Sequence, residues 1–462
     1  MSPITLTQIA AFADGTLTGN GEVKVTRVNT DSRTLRSGDL FVALRGDNFD
    51  GHRFVESAAK RGAVAVLVER NWRNVSPSLA IIRVDDTLAA YQKIAAAYRR
   101  SLPLKVIAIT GSNGKTSTKD FLAATLSRRF RVTKTEGNFN NHVGLPRTML
   151  EATAEDEIAV WEIGMNHPGE IAALAALAMP DVAVITNVGV AHIEFMGTRE
   201  AIAQEKGSLA AMIGSEGTVV LNADDPFSGA IAERTRAKII LAGTNGGSLC
   251  ATDISQSASG SEFTILEGAH RCRAQLPVPG LHMVQNALLA IAAGRVFGMS
   301  IEDCAAGLAS APLTKARLQI KNIRGVQFID DSYNANPESM KAALATLVEL
   351  ETDGRHIAVL GQMGELGAES ERGHREVGET AAALHVDQLI TIGETGAAIA
   401  RAAHDAGLED STAVGSAGEA ADLLAERVSA GDLVLVKGSR SARTELVLEE
   451  FAKRQPAEGV AR

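Results

Sequence analysis

A chain of 462 residues has room for two to four domains, each with its own core. Aromatic residues make up only 4% while Ala, Val, Leu, Ile and Gly abound, which suits α/β layers better than an all-β sandwich. The net charge of −9, with no long basic block and no apolar run approaching the roughly 18 residues of a membrane span, speaks against a nucleic-acid or membrane partner.

The opening MSPITLTQIAAFADG has no basic residue and no long apolar core, so no signal peptide is expected and the cytoplasm is the expected location. Cys250, Cys272 and Cys304 are odd in number and far apart, which suggests neither a disulfide framework nor a zinc site. A first block, residues 1–102, reads as a smaller α/β domain: DLFVALRG and AVAVLVE are strands, with FVESAAKRG as the helix between them. Its stretch TDSRTLRSGDLFVALRGDNFDGH is dense in polar and glycine residues, and Ser32, Arg33 and Asn48 are candidates to grip a phosphorylated ligand.

The second block, residues 103–312, alternates strand and helix, a rhythm that implies right-handed βαβ units and a parallel sheet. Its most informative segment is VIAITGSNGKTSTKDFLAATL. An apolar strand runs into Gly111, Ser112, Asn113, Gly114, Lys115, Thr116 and Ser117, and a helix follows at once. Glycines there let backbone N–H groups crowd a polyphosphate, and the helix N-terminus adds positive potential. Lys115 can reach the β/γ-phosphates and the Thr116 hydroxyl can bind Mg²⁺, so ATP or another nucleoside triphosphate is the expected ligand. Ile109 stands where the strict phosphate-loop pattern has its first glycine.

Further along this block, Glu162 closes the strand IAVWE, where a carboxylate can hold Mg²⁺ directly or through water. His192 follows the next strand, and Lys206 lies on the helix after that. Each sits at or beyond a strand's carboxyl end, where ligands collect in an open α/β sheet. The loop GNFNNHVGLP, with Asn138 and Asn140, carries more polarity than a core explains. Asp224 and Asp225 in LNADDPF either face a nucleotide sugar or cap the next helix. Residues 248–276 are polar and strand-like, an antiparallel insert. Asn286 on the following helix offers the donor and acceptor that an adenine edge requires.

The third block, residues 313–462, has strands VQFIDD, HIAVLG, QLITIG and DLVLVKGS between alanine-rich helices, a Rossmann-like doubly wound pattern. One loop gathers Asp330, Asp331, Asn334 and Asn336; another gathers Lys437, Arg440 and Arg443 as an anion clamp. A phosphate loop also serves regulatory and motor NTPases, but a third block with its own polar loops suits a second substrate better than a protein interface.

In this order, TGSNGKTSTKD, EIGMNHPGEI, NVGVAHIEFMG, EKGS, LNADDP, PGLHMVQNALLA, the arginine of KARLQI, DDSYNANPESM and VKGSRS resemble successive blocks of the Mur ligases, the ATP-dependent amide-forming enzymes of peptidoglycan precursor synthesis. The resemblance covers nearly the whole chain. The segments DSR…GDLFVALRG…FDGH, GNFNNHVGLP, YNANPESM and GQMGELG are most similar to the branch that adds D-alanyl-D-alanine to UDP-N-acetylmuramoyl-tripeptide. The Asp-Asn-Pro-Arg tetrapeptide of the diaminopimelate-adding branch is absent, and a folate polyglutamate-adding relative has no UDP site.

The resemblance implies three domains: a UDP-substrate domain, a central phosphate-loop domain, and a C-terminal domain that takes the dipeptide and closes on ATP. It implies that Thr116 and Glu162 hold one Mg²⁺, and that His192 and Lys206 serve a second. Lys206 would be carbamylated, because an ammonium cannot ligate a cation. It gives adenine to Asn286, ribose to Asp331 and phosphates to Arg317, and it leaves Asn334, Asn336, Lys437 and Arg440 to substrate. A monomer is expected.

Overall fold

The computed structural model describes residues 1–46, 49–73, 79–312 and 314–454. It resolves into two compact units, one of residues 1–109, 129–164 and 169–183, the other of residues 110–128, 165–168 and 184–462. The division passes through the strands Lys105–Thr110 and Val182–Ile185 rather than through a linker.

In the first unit the N-terminal sheet is ordered Thr16–Thr18, Ala80–Val84, Ala65–Glu69, Leu40–Val42, Val28–Asn29. All its neighbours run parallel except Thr16–Thr18 against Ala80–Val84. The helix Thr87–Ser101 follows because Asp86 caps it, its carboxylate accepting from the N–H groups of Leu88 and Ala89 at 2.7 and 3.0 Å. It buries Tyr91, Ile94, Ala95 and Tyr98. A second parallel run pairs Val132–Lys134 and Lys105–Thr110 with Ile158–Glu162 between them. Val106, Ile107, Ala108 and Ile109 are fully buried, as a strand covered on both faces must be.

In the second unit Thr218–Asn222 and Lys238–Gly243 pair in parallel. The polar stretch that follows is antiparallel within itself, as its sequence suggests, but it continues this sheet. Leu249–Ser257 joins Lys238–Gly243 in parallel, and the hairpin partners Gly260–Glu267 and His270–Leu276 extend the same sheet edge antiparallel. One face of this edge is solvated, so its strands alternate in polarity instead of reading as apolar runs.

The C-terminal sheet is ordered Gln319–Ile323, Val326–Asp331, Leu433–Lys437, His356–Gly361, Gln388–Ile392, Ser411–Val414. Only Gln319–Ile323 is antiparallel. The last parallel strand inserts between the first two of this series, so the loops after Asp331, Gly361 and Lys437 converge at one edge, a topological switch point. The core beneath holds Phe328, Val359, Ile390, Leu424, Val434 and Phe451.

Candidate active site

The loop after Lys105–Thr110 is built by exclusion. Gly111 has φ +152°, and a β-carbon there would stand 1.8 Å from Thr186 Oγ1; Gly114 has φ +79°, and its β-carbon would stand 2.2 Å from Asn286 Oδ1. No other residue fits either position. The Asn187 loop holds the turn open. Ser112 N donates to Asn187 O at 3.0 Å, Asn113 N to Asn187 Oδ1 at 2.8 Å, and Gly189 N to Ser112 Oγ at 2.8 Å. Lys115, first residue of the helix Lys115–Leu126, folds back so that Nζ donates to Gly111 O at 2.6 Å. Its ammonium therefore lies inside the curve of the loop, where a polyphosphate would replace the carbonyl. Thr116 and Ser117 are buried in the first helical turn.

In the first unit Glu162 lies level with Ile109 across the parallel pair Lys105–Thr110 and Ile158–Glu162. Its carboxylate is only 2% exposed and accepts from Asn140 Nδ2 at 2.8 Å, while Glu162 N donates to Thr135 Oγ1 at 2.9 Å. Asn140 thus aims the carboxylate. Asn138 supports that turn through its carbonyl, which accepts from Asn140 N at 2.8 Å.

His192 adopts φ +65° at the start of the turn Ile193–Met196. Its Nδ1 is 2.7 Å from Glu365 Oε2. That contact holds the Glu365 carboxyl below the usual carboxylate range. Lys206, on the helix Arg199–Ala211, is 1% exposed. Burial, then the charge of Lys115, push its ammonium well below the ordinary lysine range, with Glu205 opposing.

The chain matches three parts of one family along its length: the Mur ligase family catalytic domain over residues 24–99, the Mur ligase middle domain over residues 109–294, and the Mur ligase glutamate ligase domain over residues 316–440. The chain belongs to the Mur ligase family. It is 42% identical over 454 residues to the UDP-N-acetylmuramoyl-tripeptide--D-alanyl-D-alanine ligase of Bacillus subtilis, covering 97% of this chain and 98% of that one. Among solved structures it superposes on MurF from Acinetobacter baumannii with a TM-score of 0.91 at 32% identity, covering 98% of this chain and all of the other. A MurF ligase from Thermotoga maritima, in complex with ADP, gives a TM-score of 0.83 at 32% identity over 92% of this chain and 97% of that one. The three α/β domains expected from the sequence are those of the Mur ligase fold.

In this Mur ligase the C-terminal candidates stand differently from one another. Lys437 is not an exposed anion clamp: it is 1% exposed, and its Nζ donates to Asp331 Oδ2 at 2.5 Å and to Asn334 O at 3.0 Å. Burial lowers its pKa, against the pull of Asp331. The other Asp331 oxygen accepts from Leu318 N at 3.3 Å. Arg440 is exposed and pairs with Glu445 at 3.1 Å. Asn334 Oδ1 accepts from Arg440 N at 3.4 Å. Arg317 lies over the Tyr333 ring at 4.3 Å, and its Nε is buried without a partner.

Asn336 caps the helix Pro337–Glu349, and its Nδ2 donates to Asn113 Oδ1 at 2.8 Å. Asp224 and Asp225 serve the loops. Asp224 accepts from Thr244, Asn245 and Gln285, and Asp225 accepts from Val188 N and Phe227 N. In the N-terminal domain Ser32 and Arg33 lie on a short 3-10 turn, and Arg33 pairs with Asp31 at 2.8 Å, which lowers the aspartate to about 2. Asn48 lies outside the described residues.

Three residues near these groups went unassigned from sequence. Glu365 belongs to GQMGELG, a segment conspicuous for its glycines. Glu338 Oε1 accepts from Val190 N at 3.0 Å. His282 feels both Asp331 and Lys437, and burial lowers it to about 4. A histidine two residues past a helix-opening glycine was the available signal.

No group of three or more His, Cys, Asp or Glu side chains that could hold a metal occurs among the described residues. Taken singly, the Thr116 hydroxyl in one unit and the Glu162 carboxylate in the other are hard oxygen donors of the kind Mg²⁺ prefers.

Proposed function

We propose that this Mur ligase joins D-alanyl-D-alanine to UDP-N-acetylmuramoyl-tripeptide at the expense of ATP. The observation that carries the reading is the end-to-end match to relatives of that name; the loop of Gly111, Gly114 and Lys115 supports it.

The chemistry follows from what an amide bond requires. The tripeptide carboxylate attacks the γ-phosphorus, the bond to the β-phosphate oxygen breaks, and ADP leaves an acyl phosphate. The dipeptide amine adds to that carbonyl, loses a proton, and expels phosphate. The protein positions the reactants and neutralises charge. Lys115 draws charge from the transferring phosphoryl group. Mg²⁺, when bound, shields the phosphate oxygens, and Thr116 and Glu162 are each suited to it. His192 would serve a second ion. Lys206 as a neutral amine reacts with CO₂ to give a carbamate and a proton, which replaces a repelled cation with an oxygen ligand; its burial favours the amine that this step requires.

Asn286, against the loop at Gly114, reads adenine. Asp331 takes the ribose, since a carboxylate has lone pairs beyond those used by Lys437 and Leu318. Arg317 meets phosphate. We assign residues 1–102 to the UDP moiety, with Ser32, Arg33 and Asn48; residues 103–312 to ATP, with Asn138 and Asn140 on the acyl-substrate side; and residues 313–462 to the dipeptide, with Asn334 and Arg440 facing it. The enzyme works as a monomer in the cytoplasm, where its nucleotide substrates reside.

A thermal-shift titration tests the substrate class. UDP-N-acetylmuramoyl-tripeptide should raise the melting temperature at micromolar concentration, and a folate should not. The reverse result assigns the chain to the folate side of the family.

A further inference from the structure

The turn that opens the helix Pro337–Glu349 touches the phosphate loop directly. Asn336 uses its amide twice. Oδ1 accepts from Ser339 N at 2.9 Å and caps the helix, while Ser339 Oγ answers at Asn336 N at 3.0 Å. That leaves Nδ2, which donates to Asn113 Oδ1 at 2.8 Å. Asn336 is 8% exposed, so the bond is shielded from water. Two residues on, Glu338 Oε1 accepts from Val190 N at 3.0 Å, and Gly189 leaves room for that carboxylate: a β-carbon there would stand 3.1 Å from Glu338 Cδ. The backbone of Asn113 is itself fixed by Asn187 and Thr186.

We propose that Asn336 is a positioning residue that couples the two ends of the reaction: its bond to Asn113 reports the state of the phosphate loop to the loop Asn334–Asn336, on the side where the incoming amine is received. The inference rests on the proposed ligase reading. Asn113 is the one loop residue whose side chain points to the C-terminal sheet's loops in this way among the hydrogen bonds described. A shift of the loop as it closes on a triphosphate must move Asn336 or break the bond. The coupling is reciprocal, so dipeptide binding must tighten nucleotide binding by the same factor.

The test is calorimetric titration of D-alanyl-D-alanine into full-length enzyme saturated with UDP-N-acetylmuramoyl-tripeptide, with and without a non-hydrolysable ATP analogue. Wild type should bind the dipeptide at least about fivefold more tightly with the analogue present, the low end of ordinary allosteric coupling. Asn336→Ser keeps a good helix cap but cannot reach Asn113, so its melting temperature should hold while the enhancement falls by about threefold to tenfold, the worth of one hydrogen bond. Asn113→Ala should lower it to the same level, and the double variant should lose no more. A full enhancement in Asn336→Ser overturns the proposal and leaves the ligase reading standing. Wild type that binds no dipeptide under either condition overturns both.

Discussion

Lys437 Nζ and Asp331 Oδ2 stand 2.5 Å apart at the facing ends of two parallel strands, in register and almost wholly buried. Removing one member leaves the other charge largely shielded from water and without its partner, at a cost of about 3–5 kcal/mol. Lys437→Met should therefore lower the melting temperature sharply, and Lys437→Met with Asp331→Leu should recover most of it. If the single variant melts with wild type, the pair is not the buried link described.

Lys115 should act on the reaction far more than on the fold. Its ammonium rests on loop carbonyls that a phosphate would displace. Lys115→Ala should lose about 10²–10³ in kcat, the usual scale for one preorganised charge partner, with little change in circular dichroism or melting. Near-full activity would contradict the loop's role.

Gly114→Ala should damage nucleotide binding through Asn286. The added carbon would meet Asn286 Oδ1 at 2.2 Å, and the backbone there is left-handed. Displacing Asn286, the proposed adenine ligand, and the first helical turn should raise the KM for ATP, or lower kcat, by about tenfold to a hundredfold. Unaltered steady-state constants for ATP would show that neither Asn286 nor the turn is used.

Lys206 carries a sign that can be checked by pH. Its folded pKa lies below the ordinary 10.5, so between the two values the unfolded chain binds more protons and stability rises with pH. In CO₂-free buffer Lys206→Met should melt above wild type at pH 7, and the gap should shrink as pH approaches 10.5. The same variant should be nearly inactive, as should Lys206→Arg, which keeps charge but cannot form a carbamate. ¹³C NMR of the substrate-bound enzyme under ¹³CO₂ should show a lysine carbamate; an unmodified, fully active complex would refute it.

What was legible in the sequence was local. The strand, glycine loop and helix around Lys115 follow from apolar runs and glycine spacing. Asn336-Pro337 reads as a helix start for a different local reason, a side-chain cap followed by proline. What escaped was pairing across the chain. Nothing near Lys437 reveals that Asp331 stands opposite it, because the contact depends on which strand inserts between which. The polar strands from Leu249 onward read as an interruption because alternation marks a half-solvated face without naming the sheet it joins. Asn140 stood out only as polar, and nothing in its neighbourhood shows that its amide donates to Glu162. Glu338, in the first turn of its helix, also accepts from Val190 N, a contact that no local pattern announces.

Phosphate release, with each substrate omitted in turn, tests the central claim most directly. With ATP, Mg²⁺, UDP-N-acetylmuramoyl-tripeptide and D-alanyl-D-alanine together, phosphate should appear in step with a product heavier than the tripeptide substrate by one dipeptide less water. Leaving out the tripeptide substrate or the dipeptide should bring release close to background. Steady release from ATP alone, or from ATP with a macromolecule and no peptide substrate, would contradict the account and place the chain among regulatory NTPases.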